Sequence, residues 1–333
     1  MNPEQLDFLA VGDIVTEPFI RLKDAQVHCA INNEDCTISM RFGDKIPYES
    51  VEVIPAVGNA SNAAVAAARL GARSALVTDI GDDAVGEGDK ARLTEESVGT
   101  EYIRVHAGMK SNYHYVLWYE DDRTILVKHE EYPYQFPMSA AAPKWMYLSS
   151  LADHSIPYHE EIERYLALHP ETKLAFQPGT FQMKLGVEKL KGLYERSALF
   201  FCNKEEAERV LNLPAGTDIK SLLTALRELG PEAVIITDGA HGAHMYDGSS
   251  MSTVPMYPDP KPPYERTGAG DAFASTIAVA LSLGKSMEEA LLWGPINAMA
   301  VVQQVGAQKG LLSRDALEKL LADAPESYRV SPL

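Results

Sequence analysis

Nowhere in its 333 residues does this sequence stay apolar long enough to cross a membrane as a helix. Cysteine is scarce. Cys29, Cys36 and Cys202 are odd in number and follow no zinc or redox spacing, so the expectation is three unpaired thiols in a reducing cytoplasm and no disulfide framework. Excess positive charge is missing too: 30 Lys and Arg stand against 47 Asp and Glu, for a formal charge of -17, and no basic run offsets this locally. Nucleic acid and an anionic membrane surface are therefore unsuited partners. Residues 1–5 carry no basic segment and 8–11 are too few for a signal sequence, so a soluble, cytoplasmic protein is expected. Internal repeats and low-complexity tracts are absent from the sequence.

What is present is ordinary globular composition, 46% hydrophobic and 23% charged. The length suggests one large core with a smaller appended element. An apolar run at 8–11 stopped by Gly12-Asp13 reads as a buried first strand. Short alternating pieces between 19 and 54, and again at 113–119 and 124–128 around a turn at 120–123, read as a small sheet exposed on one face. Residues 59–70 read as an Ala-rich helix stopped at Gly71, and 74–78 as a buried strand. Further on, apolar strands at 145–148, 174–176, 198–202 and 233–237 alternate with helices. The expected helices at 269–283, 287–305 and 314–322 close the chain. That alternation predicts an α/β fold with a mostly parallel sheet, whose ligands bind at the carboxyl ends of its strands.

The strongest chemical signal is Thr267-Gly268-Ala269-Gly270-Asp271 ahead of a helix. Two glycines allow a tight turn that gathers the first amides of the helix on one point, where the macrodipole also favours negative charge. Asp271 beside such a point is placed to take a proton from an attacking hydroxyl; alternatively it caps the helix. A second stretch, Gly58-Asn59-Ala60-Ser61-Asn62, opens the Ala-rich helix, where its asparagines can cap the helix or contact a ligand. In Asn203-Lys204-Glu205-Glu206, Asn203 and Glu206 lie one helical turn apart and can form a cap or organise hydrated Mg²⁺.

In these motifs, at this spacing and in this order, the chain resembles the PfkB, or ribokinase-like, carbohydrate and nucleoside kinases. The resemblance covers essentially the whole sequence. It implies a three-layer sandwich with a small β-sheet lid, the core formed by 1–14, 55–110 and 129–333 and the lid by 15–54 and 111–128. It assigns Asp271 as catalytic base, Gly268, Ala269 and Gly270 as anion hole, and Gly58, Asn59 and Asn62 as substrate contacts. Asn203, Thr237, Gly239, Gly242, Thr267 and Asn297 then fall to the nucleotide, and Glu206 with Asn203 to Mg²⁺. The family's substrate-binding Asp after the first strand aligns with Glu17, with Asp13 as its competitor. Val57 replaces the first glycine of the first motif, and Gln177-Pro178-Gly179 stands where many sugar kinases have Asp-Pro-Asn. Glu265-Arg266 replaces an Asp that often helps hold a monovalent cation. Arg123, in an acidic turn, reads as a solvated ion-pair partner.

The reaction expected is ATP-dependent phosphorylation of a sugar hydroxyl, in a homodimer joined through the lid. A nucleoside kinase, with Tyr113, His114, Tyr115 or Trp118 stacking on a base, and a non-catalytic sugar or nucleotide sensor are the competing readings.

Overall fold

The structure, a computed structural model, describes residues 5–29, 36–120 and 122–333. It begins with β1 (Phe8–Val11), all four residues of which are buried. Successive side chains of a strand face opposite ways. Phe8 and Ala10 accordingly join one apolar cluster and Leu9 and Val11 another. A strand covered on both faces belongs inside a parallel sheet.

Four strands then leave that core: β2 (Val15–Leu22), β3 (Gln26–His28), β4 (Thr37–Ser39) and β5 (Tyr48–Val57). β3 and β4 pair antiparallel with His28 opposite Thr37, and the next residues outward, Cys29 and Cys36, are joined as a disulfide with Cα atoms 4.0 Å apart. This overturns the expectation of three free thiols. A hairpin register, which cysteine spacing alone does not encode, sets the two opposite each other. Cys202 is free and buried.

α1 (Asn59–Arg69) returns the chain to the core, its alanines favouring helix and allowing close packing on β1. A Cβ at Gly12 would meet Ala60 Cβ at 2.8 Å, which is why glycine stands at the end of β1. β6 (Ser74–Gly81), α2 (Ala84–Glu95) and β7 (Ile103–His106) follow. α2 lacks an amphipathic signature: Gly86, Asp89 and Leu93 are what it buries. β8 (Tyr115–Tyr119) and β9 (Asp122–Leu126) then form the expected hairpin, with Glu120 at φ 55 after β8; Asp121, within the expected turn, lies outside the described residues. The order β5-β2-β8-β9 makes this the lid sheet.

The remaining chain alternates β10 (Trp145–Leu148), α3 (Ile156–Leu168), β11 (Lys173–Phe176), α4 (Thr180–Leu185), α5 (Lys191–Arg196), β12 (Ser197–Asn203), α6 (Lys204–Leu211), α7 (Ile219–Glu228) and β13 (Ala233–Thr237). It ends with β14 (Ala243–Tyr246), β15 (Met251–Val254), α8 (Ala269–Ser282), α9 (Met287–Val301), α10 (Arg314–Ala322) and β16 (Ser331–Pro332). α9 stops at Val301, short of the expected 305, and the residues after it turn back towards the lid.

The main sheet has the order β16-β15-β14-β13-β12-β11-β10-β1-β6-β7, parallel from β13 to β7 and antiparallel beyond. α1, α8 and α9 cover one face, α3, α5, α6 and α7 the other, giving an α/β sandwich. From β1 the chain continues to β6 on one side and later to β10 on the other. Strand order reverses there, and such a switch point opens a crevice at the strands' carboxyl ends. No helix among the described residues is long and apolar enough to cross a membrane.

Candidate active site

Asp13 follows β1, Gln177 follows β11, and Asn203 and Thr237 end β12 and β13, so polar groups from four strands reach the same rim of the sheet. α8 points its N-terminus at this rim. Its N-cap Gly268 has φ 80, a conformation that favours glycine, and a Cβ there would meet Ala307 Cβ at 2.3 Å. The first amides of a helix have no intrahelical acceptor. Ala269 N reaches only Arg266 O, at 3.5 Å, and Gly270 is open to solvent. These amides leave a place for an anion.

Asp271, the third residue of α8, is 9% exposed. Asn62 Nδ2 donates to its Oδ2 at 2.8 Å and Gln177 Nε2 to its Oδ1 at 3.5 Å, so both carboxylate oxygens are held. Tyr147 OH in turn donates to Gln177 Oε1. Burial pushes the Asp271 carboxyl up from 3.8 to about 6, the charges of Glu206 and Glu17 pushing the same way and the bonds from Asn62 and Gln177 opposing them. Asp271 is thus not its helix's cap; Gly268 is.

Gly58 caps α1 at φ 110, and a Cβ there would lie 2.6 Å from Asp13 O. Asn62 bonds Asp271 one turn further on, while Gln308 Nε2 donates to Asn62 Oδ1 at 3.1 Å. Asn59 is half-buried on the first turn. Asp13 and Glu17 are both buried, at 6% and 8% exposed, and the adjoining rings of His129 and His114, each against one of them, bring the two carboxylates into one neighbourhood. Val57, where a glycine was the family's habit, sits buried at the end of β5, and the positive φ falls instead on Ala56, at 58.

On the other side of α8 lies a cleft of about 400 Å³. Thr237, Gly239 and Gly242, three of the residues expected to face a nucleotide, line it together with Gly270, Ala298 and Met299. Asn297 does not reach it: its Nδ2 donates to Thr276 Oγ1 and its Oδ1 accepts from Leu312 N, with the residue fully buried. Thr267 is also engaged inward, its N–H donating to Glu265 Oε1 at 2.7 Å and its hydroxyl to the same atom. Gly306 N donates to Glu265 Oε2, and Arg123 of β9 brings its Nε to 3.7 Å from Oε1. Arg123 therefore spans from lid to core, where a solvated pair had been expected.

Asn203 and Glu206 form a reciprocal cap on α6: Glu206 N donates to Asn203 Oδ1 at 2.8 Å and Asn203 N to Glu206 Oε2 at 2.9 Å. One carboxylate oxygen of Glu206 is left outside that pair. No group of three or more His, Cys, Asp or Glu among the described residues is arranged to hold a metal ion.

A buried carboxylate beside free amides at a helix head, next to a cleft at a sheet's switch point, suits transfer to a hydroxyl; comparison with known proteins decides the class. The family model of pfkB family carbohydrate kinases matches residues 31–314. The chain belongs to that family. This kinase is similar to the ribokinase of Bacillus subtilis (strain 168), 28% identical over 287 residues that cover 85% of this chain and 92% of the relative. It also resembles the fructoselysine 6-kinase of Escherichia coli (strain K12), 25% identical over 251 residues, 75% of this chain and 90% of that one. Among solved structures, Arabidopsis thaliana ribokinase complexed with ribose and ATP shares the fold with a TM-score of 0.76 at 19% identity, covering 95% and 99% of the two chains. A pfkB kinase is a phosphotransferase acting on an alcohol group, and the ribokinase-like sandwich with its lid follows from the same membership.

Four side chains, two in the network around Asp271 and two beside Asp13 and Glu17, carry no motif signal. Gln177 stood out only as a departure from the family pattern, Tyr147 hides in an apolar strand, and the lid-side histidines His114 and His129 lie outside both signatures.

Proposed function

We propose that this kinase transfers the γ-phosphoryl group of ATP to a hydroxyl of a sugar or sugar derivative, with Asp271 as general base. The observation that carries this reading is the Asp271 carboxylate, buried, held by Asn62 and Gln177, and set among the free first amides of α8. Asp271 takes the hydroxyl proton as the oxygen attacks the γ-phosphorus, and the bond to the ADP oxygen breaks. The amides at 268–270 face the charge that gathers on the phosphoryl oxygens. A carboxyl raised to about 6 is ionised at neutral pH yet basic enough to accept a proton in flight.

Magnesium fits the chemistry of Glu206, whose outer oxygen is available, with Asn203 fixing that side chain; a cation that keeps most of its water needs no protein cage. When bound with ATP it supplies neutralisation of phosphate charge. Glu265, already served by Thr267, Gly306 and Arg123, supports a kinase with no requirement for a monovalent cation. Of the four aromatic side chains that could stack on a nucleoside base, Trp118 is already engaged, 5% exposed and edge-on against Tyr264.

The lid supports a homodimer. Its outer face carries Val51, Val53, Tyr115 and Leu126, each between 46% and 54% exposed, and a contiguous apolar sheet face of this kind is typically an interface. ADP release measured with ribose, fructose, adenosine and cytidine tests the kinase reading: release that depends on an added acceptor supports it. Release from none of them, or release unchanged in Asp271→Ala, contradicts it.

A further inference from the structure

Between lid and core, on the far side of Asp271 from the nucleotide cleft, four ionisable side chains meet. His114, next to β8, has Nδ1 3.6 Å from Glu17 Oε1 on β2. His129, just past β9, has Nδ1 3.1 Å from Asp13 Oδ2. The two imidazole rings stand 5.1 Å apart, edge to face, and Phe181 of α4 closes on His129 at 5.6 Å. Tyr134 OH donates to the other oxygen of Asp13 at 2.7 Å. The backbone holds the cluster in place: His114 N donates to Thr16 O, and Asn112 bridges Ile14 O and Glu130 N.

Buried polar atoms are nearly always hydrogen-bonded, and those that are not mark a place where something else binds. Here His114 Nε2 is buried without a partner, and beside it His129 Nδ1 and Asp13 Oδ2 face each other as an ion pair with no aligned hydrogen bond. Asp13 is 6% and His114 8% exposed. The site connects to the reacting centre, since Gly58 touches Asp13 and Asn62 of the same helix turn bonds Asp271, whose carboxyl also feels the charge of Glu17.

We propose that His114 and His129, held by Glu17 and Asp13, form the subsite that reads the acceptor's hydroxyl groups remote from the reacting one. On this assignment the acceptor is a donor-rich compound without negative charge: a neutral polyhydroxylated ring or chain, or one bearing an ammonium group. Carboxylates accept hydrogen bonds and offer none, so the capacity that Asp13 and Glu17 have beyond Tyr134 and the histidines suits O–H or N–H groups of a ligand. A carboxylate or phosphate on the acceptor would instead enter a space already holding Asp13, Glu17 and Asp271. The assignment rests on the kinase reading for its reaction, but its binding chemistry stands on its own geometry.

The test uses the full-length protein with ribose, fructose, adenosine, cytidine and glucosamine against 2-keto-3-deoxygluconate and fructose 6-phosphate, by ADP release and by calorimetry. Neutral or cationic compounds are the substrates expected. In His114→Ala and His129→Ala, KM for the best of them rises about tenfold, the size of one lost hydrogen bond, while KM for ATP and the melting temperature hold. His114→Gln, which keeps a polar amide, recovers part of the loss. An anionic compound as best substrate, phosphorylated in an Asp271-dependent way, overturns the subsite and leaves the kinase reading intact. Calorimetric binding of a neutral polyol that His114→Ala abolishes, without any ADP release, does the reverse. Variants that shift KM for acceptor and ATP alike, or a protein that neither binds nor turns over any neutral or cationic compound, overturn the proposal.

Discussion

At the scale of single residues, the same burial that makes Asp271 basic makes it costly to keep ionised. A carboxyl raised from 3.8 to about 6 corresponds to about 3 kcal/mol of disfavoured charge in the folded protein. Because the folded state holds this proton more tightly, the group's contribution to stability is fullest below 3.8 and is lost as pH rises through about 6. Asp271→Asn removes that penalty. It should melt higher than the parent protein above pH 6, with the gap closing towards pH 4, while its turnover falls by about 10²- to 10⁴-fold. Thermal melts across pH and steady-state kinetics check the two halves. Gly268→Ala is expected to act the other way: its Cβ meets Ala307 at 2.3 Å in a backbone conformation that alanine resists, so the amides move apart. Turnover should drop by about 10²-fold, the loss seen when one such donor is removed, with KM for the acceptor little changed. Both glycines of this motif and Asp271 were legible in the sequence because a turn before a helix has few ways to be written. Asn297 was misread for the opposite reason: an asparagine inside a helix looks the same whether it faces a ligand or, as here, Thr276 and Leu312.

At the scale of elements, the lid hangs on α2. Asp89 of α2 is fully buried, and its Oδ1 accepts from Thr16 Oγ1 at 2.6 Å and from Ala56 N at 2.7 Å, one at each of the two strands that lead into the lid. Ala56 holds the left-handed conformation at this joint. Asp89→Ala leaves a hydroxyl and an amide unpaired in the interior and should cost about 1–3 kcal/mol, measured by denaturant unfolding. Asp89→Asn keeps the acceptor and sheds a carboxyl that burial pushes up to about 6, so it should lose less. α2 itself escaped the periodicity because it faces the core with a glycine, an aspartate and one leucine, a surface no hydrophobic pattern can reveal. The disulfide between Cys29 and Cys36 escaped for a related reason, since it depends on the register of β3 with β4. The parallel strands, by contrast, announced themselves as short continuous apolar runs, because both of their faces are covered.

At the scale of the whole molecule, a core sandwich and a four-stranded lid meet around Asp271, and the lid docks through Trp118 on Tyr264, Arg123 on Glu265 and Ile54 against Gly306. Tyr264 and Glu265 stand just before residues 267–271, and Glu265 bonds both Thr267 and Gly306, so lid position and the shape of that turn are physically linked. The outward face of the lid remains apolar, and light scattering should find a dimer that Val51→Asp with Leu126→Asp converts to monomer; a monomeric parent protein would remove this assembly. The order of the two glycine-bearing motifs was enough to read the fold, whereas the meeting of His114 and His129 with Glu17 and Asp13 was not, since the four stand at separate points of the sequence that only folding brings together. The central claim is that Asp271 takes the acceptor's proton at the head of α8. Its most direct measurement is the pH dependence of kcat/KM for acceptor-dependent ADP formation: activity should fall as pH drops through about 6 and be lost at every pH in Asp271→Asn. A profile flat through that range, or an Asp271→Asn enzyme with near-parent turnover, would contradict it.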